Sequence, residues 1–222
     1  MKILIVAATK FEINPLLNQA EIIAFAENSR VIKSTYKKIE IDFLITGVGM
    51  VATSFYTAKV LNKSYDLAIN MGICGTFNQN LEVGSVVHVY EDQLAEMGAE
   101  DGIKFLSMED LELEAITKIS NVAPLEIHHI LAQLPMVNGI TVNKVHGNEK
   151  SIQKIVNRFH PIVESMEGAA FMFACEHENI PYFQVRAVSN FVERRNKSKW
   201  NIPLAIENLN KKIIDFLESK SE

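Results

Sequence analysis

Continuous apolar runs of strand length alternate along the chain with stretches whose apolar residues recur every three or four positions. KILIVAA (2–8), IDFLITG (41–47), DLAINMG (66–72), GSVVHVYE (84–91), PIVES (161–165) and YFQVRAVS (182–189) read as strands. Several lack the alternation of a half-exposed sheet, as expected where both faces are covered. Val51, Phe55 and Ala58 fall at i, i+4 and i+7 within MVATSFYTAKVLN and predict a helix with one apolar face. Ile202, Ile206, Leu209, Ile213 and Phe216 predict a closing amphipathic helix, with Asn201 placed to cap it and Pro203 tolerated in its first turn. Strand, helix, strand alternation implies an α/β fold whose central sheet is mixed, mostly parallel and flanked by helices. The segment 92–112 is the least periodic and reads as a long excursion from that plan.

Composition adds bounds. At 222 residues, with 48 % hydrophobic and 22 % charged positions, the chain fits a single folded domain over residues 1–222. A net charge of −5 argues against a nucleic-acid partner, and the dense basic spot Arg194, Arg195, Lys197, Lys199 reads as a solvated loop. Cys74 and Cys175 lie in apolar segments with no disulfide pattern, which fits a reducing cytoplasm. MKILIVAATKFE reads as a first strand rather than a signal peptide, and no window approaches the roughly 18 to 20 apolar residues that span a bilayer. A cytoplasmic protein with no membrane partner is expected.

In open parallel sheets ligands bind beyond the carboxyl ends of the strands, and polar residues gather there in this chain. ATKFE puts Glu12 past the first strand, where a solvated turn glutamate is the plainer alternative. TGVGM supplies Gly47 and Gly49, and NMGICG supplies Asn70, Gly72 and Gly75. VESMEGAA sets Met166 and Glu167 at a strand-to-helix junction, where Glu167 could equally serve the helix dipole. VRAVSN adds Arg186, Ser189 and Asn190. No dinucleotide or phosphate-loop glycine motif, nucleophile elbow or paired-histidine zinc motif accompanies them. The adjacent His128 and His129 would point to opposite sides of a strand, and no histidine pair has i, i+4 spacing for a metal. Chemistry without cofactor or metal is the expectation.

Taken in order, ATKFE, TGVGMVAT, NMGICG, VESMEGAA and VRAVSN resemble the purine nucleoside phosphorylase and nucleosidase superfamily, over nearly the whole chain. The tail AVSNFVERRNKSKWNIPLAI is most similar to its futalosine-hydrolase branch. The resemblance implies a nucleoside phosphorylase-like fold and cleavage of an N-ribosidic bond in a small-molecule nucleoside. It places Glu12 as general base toward water, Glu167 on the ribose hydroxyls, Met166 against the sugar, and Arg186 beside Glu12, keeping it ionised. Gly49 and Gly72 belong with the substrate-binding residues, and Val142 and Asn143 fall in the family's base-contact region. Phe105, in the excursion, or the basic cluster would meet the distal carboxylate of futalosine. A homodimer or higher homo-oligomer is also implied.

Phosphorylases of this superfamily usually carry arginines after the first and third strands. TKFEINP and ICGTFNQN have none, so water is the expected nucleophile, with phosphate through Lys10 as the alternative. Adenine-cleaving relatives carry aspartate where this chain has Asn190. A carboxamide NH₂ suits the N7 and O6 acceptors of a 6-oxopurine, although its oxygen leaves adenine open. The expected reaction is thus futalosine hydrolysis releasing hypoxanthine. Methylthioadenosine or S-adenosylhomocysteine nucleosidase, a phosphorylase and a catalytically silent nucleoside binder are the alternatives. A family serine near the water is replaced here by Ile73 and Cys74.

Overall fold

In the computed structural model, residues 1–25, 29–121, 131 and 133–221 are described; His128 and His129 lie outside them. The chain order is β1 (Lys2–Ala7), α1 (Lys10–Leu17), β2 (Glu21–Phe25), β3 (Val31–Tyr36), β4 (Ile39–Ile45), α2 (Met50–Val60), β5 (Leu67–Thr76) and β6 (Val86–Leu94). Then come β7 (Gly98–Asp101), β8 (Lys104–Ser107), β9 (Lys118–Ser120), β10 (Met136–Thr141), α3 (Glu149–Phe159), β11 (Val163–Ser165), α4 (Gly168–Glu178), β12 (Tyr182–Phe191) and α5 (Ile202–Ser221). The large sheet runs β11-β10-β6-β12-β5-β1-β4-β3-β2, with β9 on β6. β1 pairs in parallel with β4 and β5, and β12 with β5. β11 also pairs antiparallel with β5, so β5, β12, β6, β10 and β11 close into a ring.

Every predicted strand forms, and β5 and β12 run beyond their predicted ends to Thr76 and Phe191. Those extra residues build the site. The pattern did not announce the exposed edge strand β2, its partner β3, β9 or β10, and the supposed excursion continues β6 and then folds into the hairpin β7–β8. α2 also differs from expectation. Its apolar face is turned outward, with Val51 83 % and Phe55 58 % exposed, while Thr53 and Thr57 are buried. The helix packs on α4, and Thr53 meets the Thr46 hydroxyl at 3.3 Å, so its inner face is the polar one.

α5 behaves as its spacing predicts. Leu209, Ile213 and Phe216 are buried in the core with Ile3, Ile5 and Ile69, each such side chain contributing roughly 1.5–3 kcal/mol, while Ile206 is buried against the cleft described below. Asn201 accepts from the Leu204 N–H at 3.2 Å. Asn210 lies on the buried face and bridges to α1. Its carboxamide donates to the Glu12 carbonyl at 2.8 Å and accepts from the Leu16 N–H at 3.1 Å, the pair that an uninterrupted helix joins directly. Pro15 lies between them in α1, so the amide secures the turn that carries Glu12. Among the described residues no helix is long and apolar enough to cross a membrane.

Asn210→Ala would leave two buried backbone groups of α1 without that partner. It is expected to lower unfolding free energy by about 2 kcal/mol or more in urea titration, where a neutral surface change would do nothing.

Candidate active site

Glu12 occupies the first turn of α1, just beyond β1, and only 7 % of it is exposed. It is therefore no solvated turn residue. Thr9 donates to its Oε2 from both N–H and hydroxyl at 2.9 Å, and the Ile73 N–H donates to Oε1 at 3.3 Å. A backbone amide thus supports the carboxylate at the position where the sequence lacks a serine. Facing it is Arg186 of β12, 1 % exposed. The guanidinium donates from Nε to Gln184 Oε1 at 3.1 Å and from Nη2 to Asn70 Oδ1. Gln184 in turn donates to Asp92, which also accepts from Thr141. Asp92, Gln184, Arg186 and Asn70 form one buried polar chain behind Glu12.

Gly72, paired with Arg186 across β5 and β12, explains how the two charged groups come so close. A Cβ there would lie 2.2 Å from Arg186 Nη1 and 3.0 Å from Glu12 Oε1, so only hydrogen fits. Burial raises the Glu12 carboxyl above its ordinary value of 4.5, while Arg186 and the Thr9 bonds pull it down and the Glu167 charge pushes it up. The guanidinium restrains desolvation without overcoming it. A carboxylate so placed gains strength as a base near neutrality.

Glu167 caps α4 from the end of β11 and is also buried. Its Oε1 accepts the Gly49 N–H at 3.1 Å, leaving Oε2 for a ligand. Gly49 holds φ +100°, a conformation that side chains resist, and presents this amide to Glu167.

These carboxylates and Met166 form one end of a cleft of about 370 Å³, within the roughly 300–1,000 Å³ usual for small-molecule sites. Gly75, Ser189 and Asn190 form the other, with His146 and Glu164, beneath Arg195 and Trp200. A bulge at Ser189 makes this end. The register passes from Val188 opposite Cys74 to Asn190 opposite Gly75, so Asn190 turns away from the side that Val188 faces.

Gly72, Val142 and Phe105 do not line this cleft, and Asn143 lines only an adjoining groove with Gly49 and Met166. Gly72 acts from behind the charged pair. Val142 is buried with Ala95, Ile140 and Ile155, and the exposed Asn143 donates its N–H and Nδ2 to Glu96 at 2.9 and 2.8 Å. The cleft takes Val145 and His146 from that segment instead, because β10 ends at Thr141 and the chain then turns inward. Phe105 lies on β8 under the Arg158 guanidinium, 3.9 Å from its ring centre, and is outside the cleft. Among the described residues no group of three or more His, Cys, Asp or Glu is placed to hold a metal ion.

The sequence pattern of the Phosphorylase superfamily matches residues 2–218. The futalosine hydrolase of Acidothermus cellulolyticus is 30 % identical over 76 % of this chain and 71 % of its own length. The 5′-methylthioadenosine/S-adenosylhomocysteine nucleosidase of Buchnera aphidicola is 26 % identical over 92 % of this chain and 91 % of its own. The solved structure of Helicobacter pylori futalosine hydrolase superposes with a TM-score of 0.84 at 16 % identity, covering 99 % of this chain and 98 % of that one, a likeness of fold.

Titration of the Glu12 carboxyl by carbon-13 NMR is expected to give a midpoint above 4.5. Arg186→Met should raise it further by removing the opposing charge; an unmoved midpoint would show that the two groups do not sense each other.

Proposed function

Within the phosphorylase superfamily, to which this chain belongs, we propose that it is a purine nucleosidase of the futalosine-hydrolase type. It hydrolyses the N-ribosidic bond of futalosine and releases hypoxanthine, in the futalosine route to menaquinone. Relatives named as futalosine hydrolase and as methylthioadenosine/S-adenosylhomocysteine nucleosidase support an N-glycosidase. Both futalosine and methylthioadenosine enzymes are among them, so the base must be argued from the cleft.

The observation that carries the reading is the fixed orientation of Asn190. Its Nδ2 donates to the Phe191 carbonyl at 2.9 Å, and its Oδ1 accepts from the Ser189 hydroxyl at 2.8 Å. One N–H remains for a ligand, and the N7 and O6 atoms of a 6-oxopurine are both acceptors. In adenine the group beside N7 is an amino group, a donor that this N–H cannot serve.

At the other end Glu12 takes a proton from water as it attacks the anomeric carbon, and the ribose gains positive charge as the base departs. Glu167 accepts the 2′ and 3′ hydroxyls through Oε2 and favours that charge, while Met166 packs on the sugar. Lys10 is exposed and lies outside the cleft, so it is not placed to hold phosphate beside Glu12. Val48 and Met166 also line a shallower groove with Met50, Val51 and Phe55, apolar enough to seat an aromatic arm on the 5′ carbon. The outward apolar face of α2 borders this groove and suits a homo-oligomer contact.

Incubation with futalosine, methylthioadenosine and inosine, with and without phosphate, followed by chromatography of the free base, tests the reading. Hypoxanthine from futalosine without phosphate is expected; adenine release or a phosphate requirement defeats it. Glu12→Gln should lose turnover by more than about a hundredfold while staying folded, since the amide oxygen can still accept from Thr9. Asn190→Asp should shift preference toward adenine nucleosides, and an unchanged preference would remove the argument from Asn190.

A further inference from the structure

The base end of the cleft holds a pair that the reaction above does not use. Glu164, on β11, has only 3 % of its side chain exposed, and His146 has 13 %. One carboxylate oxygen accepts the His146 backbone N–H at 3.0 Å, and the other meets the ring Nδ1 at 2.7 Å. Phe77 sits edge-on to the ring, its centre 6.4 Å away. Among the described residues nothing partners Nε2. The pair stands next to Asn190, since the point where a Cβ on Gly75 would lie is 3.3 Å from Asn190 Nδ2 and 3.7 Å from Glu164 Cγ.

We propose that His146, held by Glu164, is a second reader of the purine: its Nε2 accepts the N1–H of a 6-oxopurine and thereby selects against adenine. A carboxylate can only accept, so in the neutral ring the hydrogen sits on Nδ1 and Nε2 keeps a free lone pair. Hypoxanthine carries a hydrogen on N1, next to the O6 that Asn190 addresses, and so offers a donor. Adenine has a bare lone pair at N1, so its acceptor would face an acceptor. The inference rests on the purine-nucleosidase reading and gives that reading a second specificity residue. It also gives a use to a buried carboxylate within reach of the base, since Glu164 acts through the tautomer it imposes and touches no substrate.

Glu164→Gln separates this role from simple packing. The His146 backbone N–H can only donate, so the new carboxamide oxygen must stay with it and the NH₂ must face Nδ1. Nδ1 then becomes the acceptor, and the ring hydrogen moves to Nε2. Calorimetry with the free bases on the full-length enzyme should show the hypoxanthine-to-adenine affinity ratio falling by roughly tenfold or more. Nitrogen-15 NMR should find His146 Nε2 unprotonated in the wild type and protonated in Glu164→Gln. His146→Phe, which keeps the ring's bulk, should also lose the preference without reversing it.

A ratio unchanged in both variants, in an enzyme that still hydrolyses futalosine, overturns this inference and leaves the substrate assignment standing. So does a wild-type Nε2 that carries hydrogen. An enzyme that prefers adenine from the start defeats both.

Discussion

The guanidinium of Arg186 is a charge sealed from solvent in the middle of the central strand β12, and much of the site's architecture answers that one fact. A charge taken out of water costs several kcal/mol unless carboxylates and hydrogen-bond acceptors replace its hydration. Gln184, two residues back, takes Nε, and Asn70 on β5 takes Nη2. Glu12 and Asp92 are carboxylates that sense the guanidinium charge. Asp92, itself pushed up to about 6 by burial, stands behind Gln184 and keeps its amide turned so that the oxygen meets the arginine. Gly72 exists at this point because any side chain would occupy the space where guanidinium and carboxylate meet.

That arrangement fixes the catalytic end from several elements at once. Glu12 is held by Thr9 from its own helix, by the Ile73 amide from β5 and, through the turn it sits in, by Asn210 of α5. The carboxylate is thereby desolvated enough to be a stronger base than an exposed glutamate, yet it is never left as an unpaired buried charge. Glu167 reaches the same place from α4, anchored on Gly49. Five separate stretches of chain therefore converge on one small volume, a geometry suited to a reaction in which water must be positioned as well as deprotonated.

Much of this was readable in the chain. Strand ends could be found by hydrophobic runs, and Glu12, Met166, Glu167 and Asn190 stand at or just past them, with Arg186 inside β12. What could not be read was direction. The Val51, Phe55 and Ala58 spacing identifies a helix but not whether its apolar stripe faces the core or the outside, and in α2 the threonines are inside. Val142 and Asn143 were placed by resemblance alone, in a segment where no strand was predicted, and it is Val145 and His146 that line the cleft. Asn210 and Gln184 had a weak signal, as polar residues on apolar faces, which marks a buried bond without naming its partner. Bulges are invisible to periodicity. The one at Ser189 moves Asn190 to the ligand side, a result that an unbroken alternation would have denied.

The two ends of the cleft differ in electrostatics, and under the proposed reaction the difference matches the charge that each half of a departing nucleoside would carry. The sugar becomes positive, and it meets two buried carboxylates whose mutual repulsion is tempered by one arginine. The purine becomes negative, and its end offers the neutral amide of Asn190. An aspartate at 190 would lie beside Glu164, flanking the same point above Gly75, and the two like charges would oppose ionisation of either. With asparagine there, Glu164 can remain the lone carboxylate of that end, covered by the His146 amide and ring and turned away from the base. A neutral reader at 190 and a shielded carboxylate at 164 are thus one arrangement, in which each is tolerable because of what the other is.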